Sequence, residues 1–255
     1  MNKLVFVTGC TGKLGVPFMK CLKARPDIDF VYGITKEDMD IWIPSAARKF
    51  YDRIRKISDA YAKGDIYFIH LAAMTGIENC NNNLGCAFNT NVKGTIRLCE
   101  AFGAFRFHYI STDYVFDGEH GDYSEEFTPN PLSYYAETKL LGEIAVESGV
   151  DSPRIIRLSH FPDECKFEYA YDDKFTSAQC TTVVAEQLSE VIFDYSKWTG
   201  YLHIGGKKTT FYDLAFKSNK GVKKESVPEN TPKDTSFNLT LLNKIKKEEG
   251  AKKCQ

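Results

Sequence analysis

The chain has 255 residues, 43% of them hydrophobic and 26% charged, enough apolar material for one large α/β domain or a domain with a smaller lobe. A formal net charge of −1 gives no reason to expect a polyanion-binding surface, so nucleic acid is not an expected partner. The eight cysteines form no Cys-x-x-Cys pair and have no histidine cluster nearby, which argues against a metal site or a disulfide framework and for a reducing compartment. The opening "MNKLVFVTG" lacks the length and cleavage pattern of a secretory signal, and no apolar run approaches ~18 residues. The expectation is a cytoplasmic protein with no membrane partner.

In chain order, "KLVFVTG" (3–9) is a short apolar strand ending at a glycine turn, and a helix pattern runs on to about Lys23. "DFVYGIT" (29–35) reads as a second strand. Between Pro44 and Lys63, Phe50, Ile54, Ile57 and Tyr61 form a helical stripe closed by Gly64. "IYFIHLAA" (66–73) is a third strand, and Phe88, Val92, Ile96 and Cys99 line one face of the next helix. Cys10, Cys21 and Cys99 are expected to be small buried thiols. "RFHYIS" (106–111) is a fourth strand, a helix follows across Tyr135, and "RIIRLS" (154–159) is a fifth. Beyond Phe161 the pattern changes to a helix near 181–195, a strand "GYLHIG" (200–205) and a helix near 210–219. "GVKKESVPENTPKD" (221–234) reads as an extended connection, and "KIKKEEGAKKCQ" as a solvated helix end and tail.

Strand–helix alternation with nearly continuous apolar strands predicts an α/β fold, a Rossmann-type doubly wound parallel sheet covered on both faces. We divide it into a dinucleotide-binding domain over 1–160 and a small C-terminal substrate-binding lobe over 161–255, not independent and free to return strands or helices to the first. Ligands on such sheets bind at the carboxyl ends of the strands. Segments 112–132 and 160–180 both leave those ends and are the expected substrate walls.

"VTGCTGKLG" (7–15) places Gly9, Gly12 and Gly15 directly after strand one. Gly9 permits the tight turn, Gly12 lets backbone N–H groups approach a pyrophosphate, and Gly15 lets the helix pack close to the sheet. Thr11 lies within the same loop. After strand two, Thr35 and Lys36 precede Glu37 and Asp38. A lysine there accepts a 2′-phosphate, which tilts the cofactor choice toward NADPH over NADH. The alternative, a solvated loop charge, stays open.

In "PLSYYAETKLLGE" (131–143) Ser133 is a candidate N-cap. Tyr135 and Lys139 are four apart and share a helix face, whereas Tyr134 and Lys139 do not. An ammonium beside a phenol favours the phenolate, so Lys139 is expected to pull the Tyr135 pKa down from ~10. An exposed lysine over a half-buried tyrosine is the plainer reading of the same spacing.

With these motifs together, the chain resembles the extended short-chain dehydrogenase/reductases, and within them the dTDP-4-dehydrorhamnose reductase branch. "STDYVFDG" (111–118) is the most specific piece, followed by "NPLSYYAETKLLGE" (130–143), "NTNVKGT" (89–95) and "PKDTSFN" (232–238). The resemblance implies a catalytic set of Thr112, Tyr135 and Lys139. It places Lys13 and Leu14 beside the pyrophosphate, Asp40 and Ile41 against the adenine, and Leu71, Ala72, Ala73 and Thr75 along the cofactor. Thr112, Asp113, Tyr114, Phe161 and Lys233 are the implied substrate contacts. The implied reaction is hydride transfer to the ketone of a nucleotide-linked 4-keto-6-deoxysugar, with Tyr135 donating the proton and Thr112 holding the same oxygen.

Three residues depart from the family pattern. His70 stands where the family has Asn and is read as a buried, satisfied histidine. His160 and Phe161 replace the expected aromatic after strand five, and Thr231 stands where an Arg precedes the proline. Two alternatives remain: a nucleotide-sugar epimerase or dehydratase sharing the Tyr and Lys, and a non-catalytic regulatory subunit of the same fold, as in methionine adenosyltransferase. Dehydratases carry an Asp-Glu pair after the Thr, whereas Thr112 is followed by Asp113 and Tyr114. A homodimer is a further expectation.

Overall fold

The computed structural model describes residues 3–195, 198–229 and 231–253. The first two-thirds comprise β1 (Lys3–Thr8), α1 (Gly15–Lys23), β2 (Ile28–Ile34), α2 (Ala46–Ser58), β3 (Ile66–His70), α3 (Ile77–Asn82), α4 (Leu84–Phe88), α5 (Thr95–Phe102), β4 (Arg106–Thr112), α6 (Tyr134–Gly149) and β5 (Arg154–Leu158). There follow β6 (His160–Phe161), β7 (Tyr169–Tyr171), β8 (Phe175–Thr176), β9 (Gln179–Cys180), α7 (Thr181–Phe193), β10 (Gly200–His203), β11 (Thr209–Thr210), α8 (Phe211–Ser218), β12 (Lys223–Glu225) and α9 (Thr240–Lys253).

Six strands form one sheet in the order β10-β5-β4-β3-β1-β2, and every pairing in it is parallel. Parallel strands must be hidden on both faces, which is why β3 and β5 are buried at every position. One face is covered by α1 and α7, through Phe18, Leu22, Val184, Leu188 and Val191, all fully buried. The other is covered by α2, α5 and α6, where Phe50, Phe68, Phe102 and Phe107 stack and interlock. The chain winds outward in both directions from β1, so the crevice between the carboxyl ends of β1 and β3 is where a ligand belongs.

Residues 161–255 divide their allegiance. Helix α7 and strand β10 complete the large sheet and its cover, and Leu242 of α9 joins the same core. Three small pairings, β6–β9, β7–β12 and β8–β11, build a compact unit around Phe161, Cys165, Ala170, Leu214 and Val222. The stretch read as an extended connection thus contributes β12, parallel to β7.

Two predicted helix faces need correction. The buried side of α2 is Ala47, Phe50, Ile54 and Ser58; Ile57 points to solvent, and the helix ends before Tyr61. On the next helix, Ile96 is 41% exposed, while Thr95, Leu98, Cys99 and Phe102 are buried. The cause is a π-helical turn at Asn89–Gly94. Its i→i+5 bonding shifts the face of the residues just after it, so Ile96 turns outward while Val92 and Cys99 are buried as expected. Of the three thiols expected inside, Cys99 is buried, whereas Cys10 lies in the glycine turn and Cys21 on α1, both half-buried.

Candidate active site

A single cavity of about 1200 Å3 runs across the carboxyl ends of β1, β3 and β4. At one end is the glycine turn. Gly9 has φ +70°, and a Cβ there would lie 2.6 Å from the Ala72 nitrogen. A Cβ on Gly15 would lie 2.1 Å from the Gly9 carbonyl oxygen. No side chain fits at either position, and the turn consequently brings the N-terminus of α1 onto the cavity floor. The first N–H groups of a helix have no partners within it and carry its positive dipole end, so this floor suits a diphosphate. Thr11, Gly12, Lys13 and Leu14 line the same wall.

The adjoining wall holds Thr35, Lys36, Asp40 and Ile41. Lys36 is largely exposed, 3.7 Å from Asp40 and 5.8 Å from the centre of the Trp42 ring. Asp38, two residues before the pocket carboxylate Asp40, is spent locally: it accepts from Thr35 N, Thr35 Oγ1 and Tyr32 Oη. Opposite lie Leu71, Ala72, Ala73 and Thr75 from the end of β3. His70 is satisfied as expected, with Nδ1 2.8 Å from Thr8 Oγ1 and Nε2 3.1 Å from Thr95 Oγ1. Burial, with Lys139 nearby, pushes its pKa down to about 3, so it is a neutral structural group.

The far end gathers Thr112, Asp113, Tyr114, Tyr135 and Lys139. Ser133 caps α6 by accepting from the Ala136 N–H at 3.3 Å, which sets the helical register of Tyr135 and Lys139. Thr112 ends β4, donates from Oγ1 to Asp113 Oδ1 at 3.2 Å, accepts from the Tyr114 N–H, and lines the cavity with Tyr135. Lys139 Nζ donates to the Ile110 carbonyl at 2.7 Å and sits 4.0 Å from the centre of the Tyr109 ring. The expected lowering of the Tyr135 pKa does not occur: burial raises it well above the usual phenol, and Thr112 only partly opposes that. Lys139 is shifted the other way, down to about 7, by burial that Glu143 only partly offsets. For both groups desolvation of the charged form is the largest cause. A protonated phenol is the form a proton donor needs.

Two predicted substrate contacts fall elsewhere. Phe161 is 2% exposed inside the small lobe's core, and Phe167 and Phe211 are the phenylalanines that this lobe places on the cavity wall. Lys233 is exposed and does not line the cavity. His160 does line it, with Nδ1 3.0 Å from Thr181 Oγ1.

Sequence reasoning passes over several residues here. Asn91, inside the π turn, donates from Nδ2 to Met74 O and Thr138 Oγ1 and accepts at Oδ1 from the Met74 N–H, tying the β3 loop to α6. The quoted "NTNVKGT" was the available signal. Trp42 lines the wall that holds Lys36 and Asp40 and donates its indole N–H to Thr90 Oγ1 at 2.7 Å. Ser111 lines the cavity with its buried Oγ bonded to no described side chain. Nothing in the sequence marks either.

A doubly wound parallel sheet, a glycine turn on its first helix and a Thr–Tyr–Lys set at the end of the same crevice define an extended short-chain dehydrogenase/reductase. The family model for the RmlD substrate binding domain matches residues 2–171, and the chain belongs to that family. Among curated relatives it is 32% identical over 145 residues to methionine adenosyltransferase 2 subunit beta of Danio rerio, covering 54% of this chain and 42% of that one. It is 32% identical over 164 residues to dTDP-4-dehydrorhamnose reductase of Mycobacterium tuberculosis, covering 61% and 49%. The chain thus spans under half the length of these relatives. The solved dTDP-4-dehydrorhamnose reductase of Bacillus anthracis in complex with NADP superposes with a TM-score of 0.78 at 21% identity, over 94% of this chain and 92% of that one. Among the described residues no helix is long and apolar enough to cross a membrane, and no cluster of His, Cys, Asp or Glu could hold a metal ion.

Proposed function

We propose that this chain is an NAD(P)H-dependent reductase acting on a nucleotide-linked 4-keto-6-deoxysugar, of the dTDP-4-dehydrorhamnose type. The observation that carries it is continuity. The same cavity holds a diphosphate-shaped glycine turn at one end and the Thr112–Tyr135–Lys139 set at the other. The residues fit a dinucleotide because Gly9 and Gly15, where any Cβ would strike backbone, let the turn close tightly and set the N-terminus of α1 at the cavity. Gly9 through Gly15 would hold its diphosphate, Lys36 a 2′-phosphate, Asp40 and Ile41 its adenosine, and Ala72, Ala73 and Thr75 its inner face. A bound nicotinamide supplies hydride to the sugar carbon. Tyr135 gives its phenolic proton to the ketone oxygen, Thr112 holds that oxygen by a hydrogen bond, and Lys139 holds the neighbouring ribose. Depletion of NADPH and NADH absorbance across a panel of nucleotide-4-keto sugars tests the reading; no turnover of any of them refutes it.

NADPH at a hundred times its Kd should stabilise the fold by about 2.7 kcal/mol. Lys36→Asp should shift preference toward NADH, because the 2′-phosphate would meet a carboxylate in place of an ammonium. Thermal melts with both nucleotides measure this, and an unchanged preference removes Lys36 from the site.

Lys139 gives a pH signature. Its free-protein pKa of about 7 must rise when it hydrogen-bonds a ribose as an ammonium. Above pH 7 binding therefore takes up a proton, and affinity for NADPH falls by up to about tenfold per pH unit. Calorimetry at pH 8 in buffers of different ionisation heat should show uptake that Lys139→Met abolishes. Equal heats in all buffers would contradict the assignment.

The relationship to methionine adenosyltransferase 2 subunit beta favours one second reading, a regulatory subunit of the same fold. Co-purification with a synthetase in the absence of turnover distinguishes it. We place the reaction in the cytoplasm, in keeping with cysteines that are all free among the described residues. The assembly we propose is a homodimer through exposed helix faces bearing Ile96, Leu141 and Ile144, which light scattering tests.

A further inference from the structure

Lys174 comes from the segment between β7 and β8, yet it reaches the end of the cavity where Tyr135 lies. Its side chain is 3% exposed. Nζ donates to the Tyr114 hydroxyl at 2.8 Å. It lies 4.7 Å from the centre of the Tyr114 ring and 4.8 Å from that of Phe211, both on the cavity wall. Burying an ammonium this deeply costs several kcal/mol unless a counter-charge is near. That counter-charge is Asp113, itself 2% exposed; burial lowers the Lys174 pKa, and the Asp113 charge partly opposes that lowering. Asp113 is pinned by two hydroxyls, Thr235 Oγ1 at 2.7 Å and Thr112 Oγ1 at 3.2 Å. Around this pair the backbone joins the same segments: Phe175 N–H donates to Lys233 O, and Thr235 N–H to Phe175 O.

The consequence concerns a proton. A phenol is both donor and acceptor, and an ammonium is a donor only. Because Lys174 occupies the acceptor side of the Tyr114 oxygen, the Tyr114 O–H must point elsewhere. Among the described residues it meets no acceptor, and Tyr114 lines the same cavity as Tyr135.

We propose that Lys174 is a positioning residue that fixes the Tyr114 hydroxyl as a hydrogen-bond donor into the cavity, so that the site selects ligands carrying an acceptor oxygen there, a sugar hydroxyl or carbonyl. This rests on the nucleotide-sugar reading above. Lys174 itself touches no ligand. It acts by removing one of the two orientations open to the phenol.

The test compares dTDP-rhamnose with dTDP, which shares the nucleotide and lacks the sugar, by calorimetry in the presence of NADP. Tyr114→Phe and Lys174→Met should each weaken dTDP-rhamnose by about three- to tenfold, the worth of one neutral hydrogen bond, and leave dTDP unchanged. The double variant should lose no more than either single one, because both remove the same bond. Lys174→Gln retains an N–H donor for the phenol and should recover most of the affinity. Tyr114→Phe changes one atom, so it remains informative if removing the buried ammonium unfolds the segment. Additive losses, equal losses for dTDP and dTDP-rhamnose, or a Gln variant no better than Met overturn the proposal while the functional reading stands. If the wild-type protein binds NADP but neither dTDP compound, the functional reading fails, and this inference with it.

Discussion

Tyr135→Phe should lower the single-turnover rate by a factor of roughly 10² to 10⁴, the range for a lost general acid. The ring stays in place, so the α6 packing and NADPH binding should survive. Tyr134→Phe should cost little, because Tyr134 starts the helix and does not line the cavity. Thr112→Val should fall between them, having lost one hydrogen bond to the reacting oxygen. The raised Tyr135 pKa strengthens this ordering. At neutral pH the phenol is protonated, so the reductive direction finds its proton donor ready, and the rate should not fall off below pH 9 through this group. Rapid-quench measurements of all three variants decide the matter. A fully active Tyr135→Phe with an inactive Tyr134→Phe would reverse the helix register assigned here.

The second large effect is on stability. Glu143 of α6 and Arg157 of β5 form a two-point ion pair, Nε–Oε1 3.0 Å and Nη2–Oε2 2.7 Å, with the side chains 0% and 2% exposed. Arg157 also stacks on Tyr201 and Phe116, 4.4 and 5.1 Å from the ring centres. Glu143→Leu leaves a buried guanidinium without its counter-charge and should cost about 3–5 kcal/mol. Adding Arg157→Met should recover much of that, since an apolar pair of similar volume needs no counter-charge. The pair clamps onto the sheet the helix that carries Tyr135 and Lys139. Urea midpoints measure the stability loss, and a double variant as unstable as Glu143→Leu alone would show that the pair does more than neutralise itself.

The glycine turn and the Tyr135–Lys139 spacing are local: a tight turn needs residues without Cβ, and a helix puts positions four apart on one face whatever surrounds it. Those rules, with the family resemblance, singled out residues that the fold brings to one cavity. The errors came where the answer depends on neighbours distant in sequence. Ile96 was assigned to the core because a π turn cannot be counted from apolar spacing. Phe161 was assigned to the cavity because its place after β5 is the right one, but β6 turns its ring into the small lobe.

By itself, then, the chain's sequence determined the strand–helix alternation, the parallel sheet and the glycine turn after its first strand, because each follows from patterns within about twenty residues. Only the tertiary structure decided the charge states of Tyr135 and Lys139, since burial, not the neighbouring charge, dominates both. It alone joined Lys174 to Tyr114 across sixty positions and Asp113 to Thr235 across 122. Desolvation and long-range pairing depend on what the folded chain packs around a group, and no local pattern contains that.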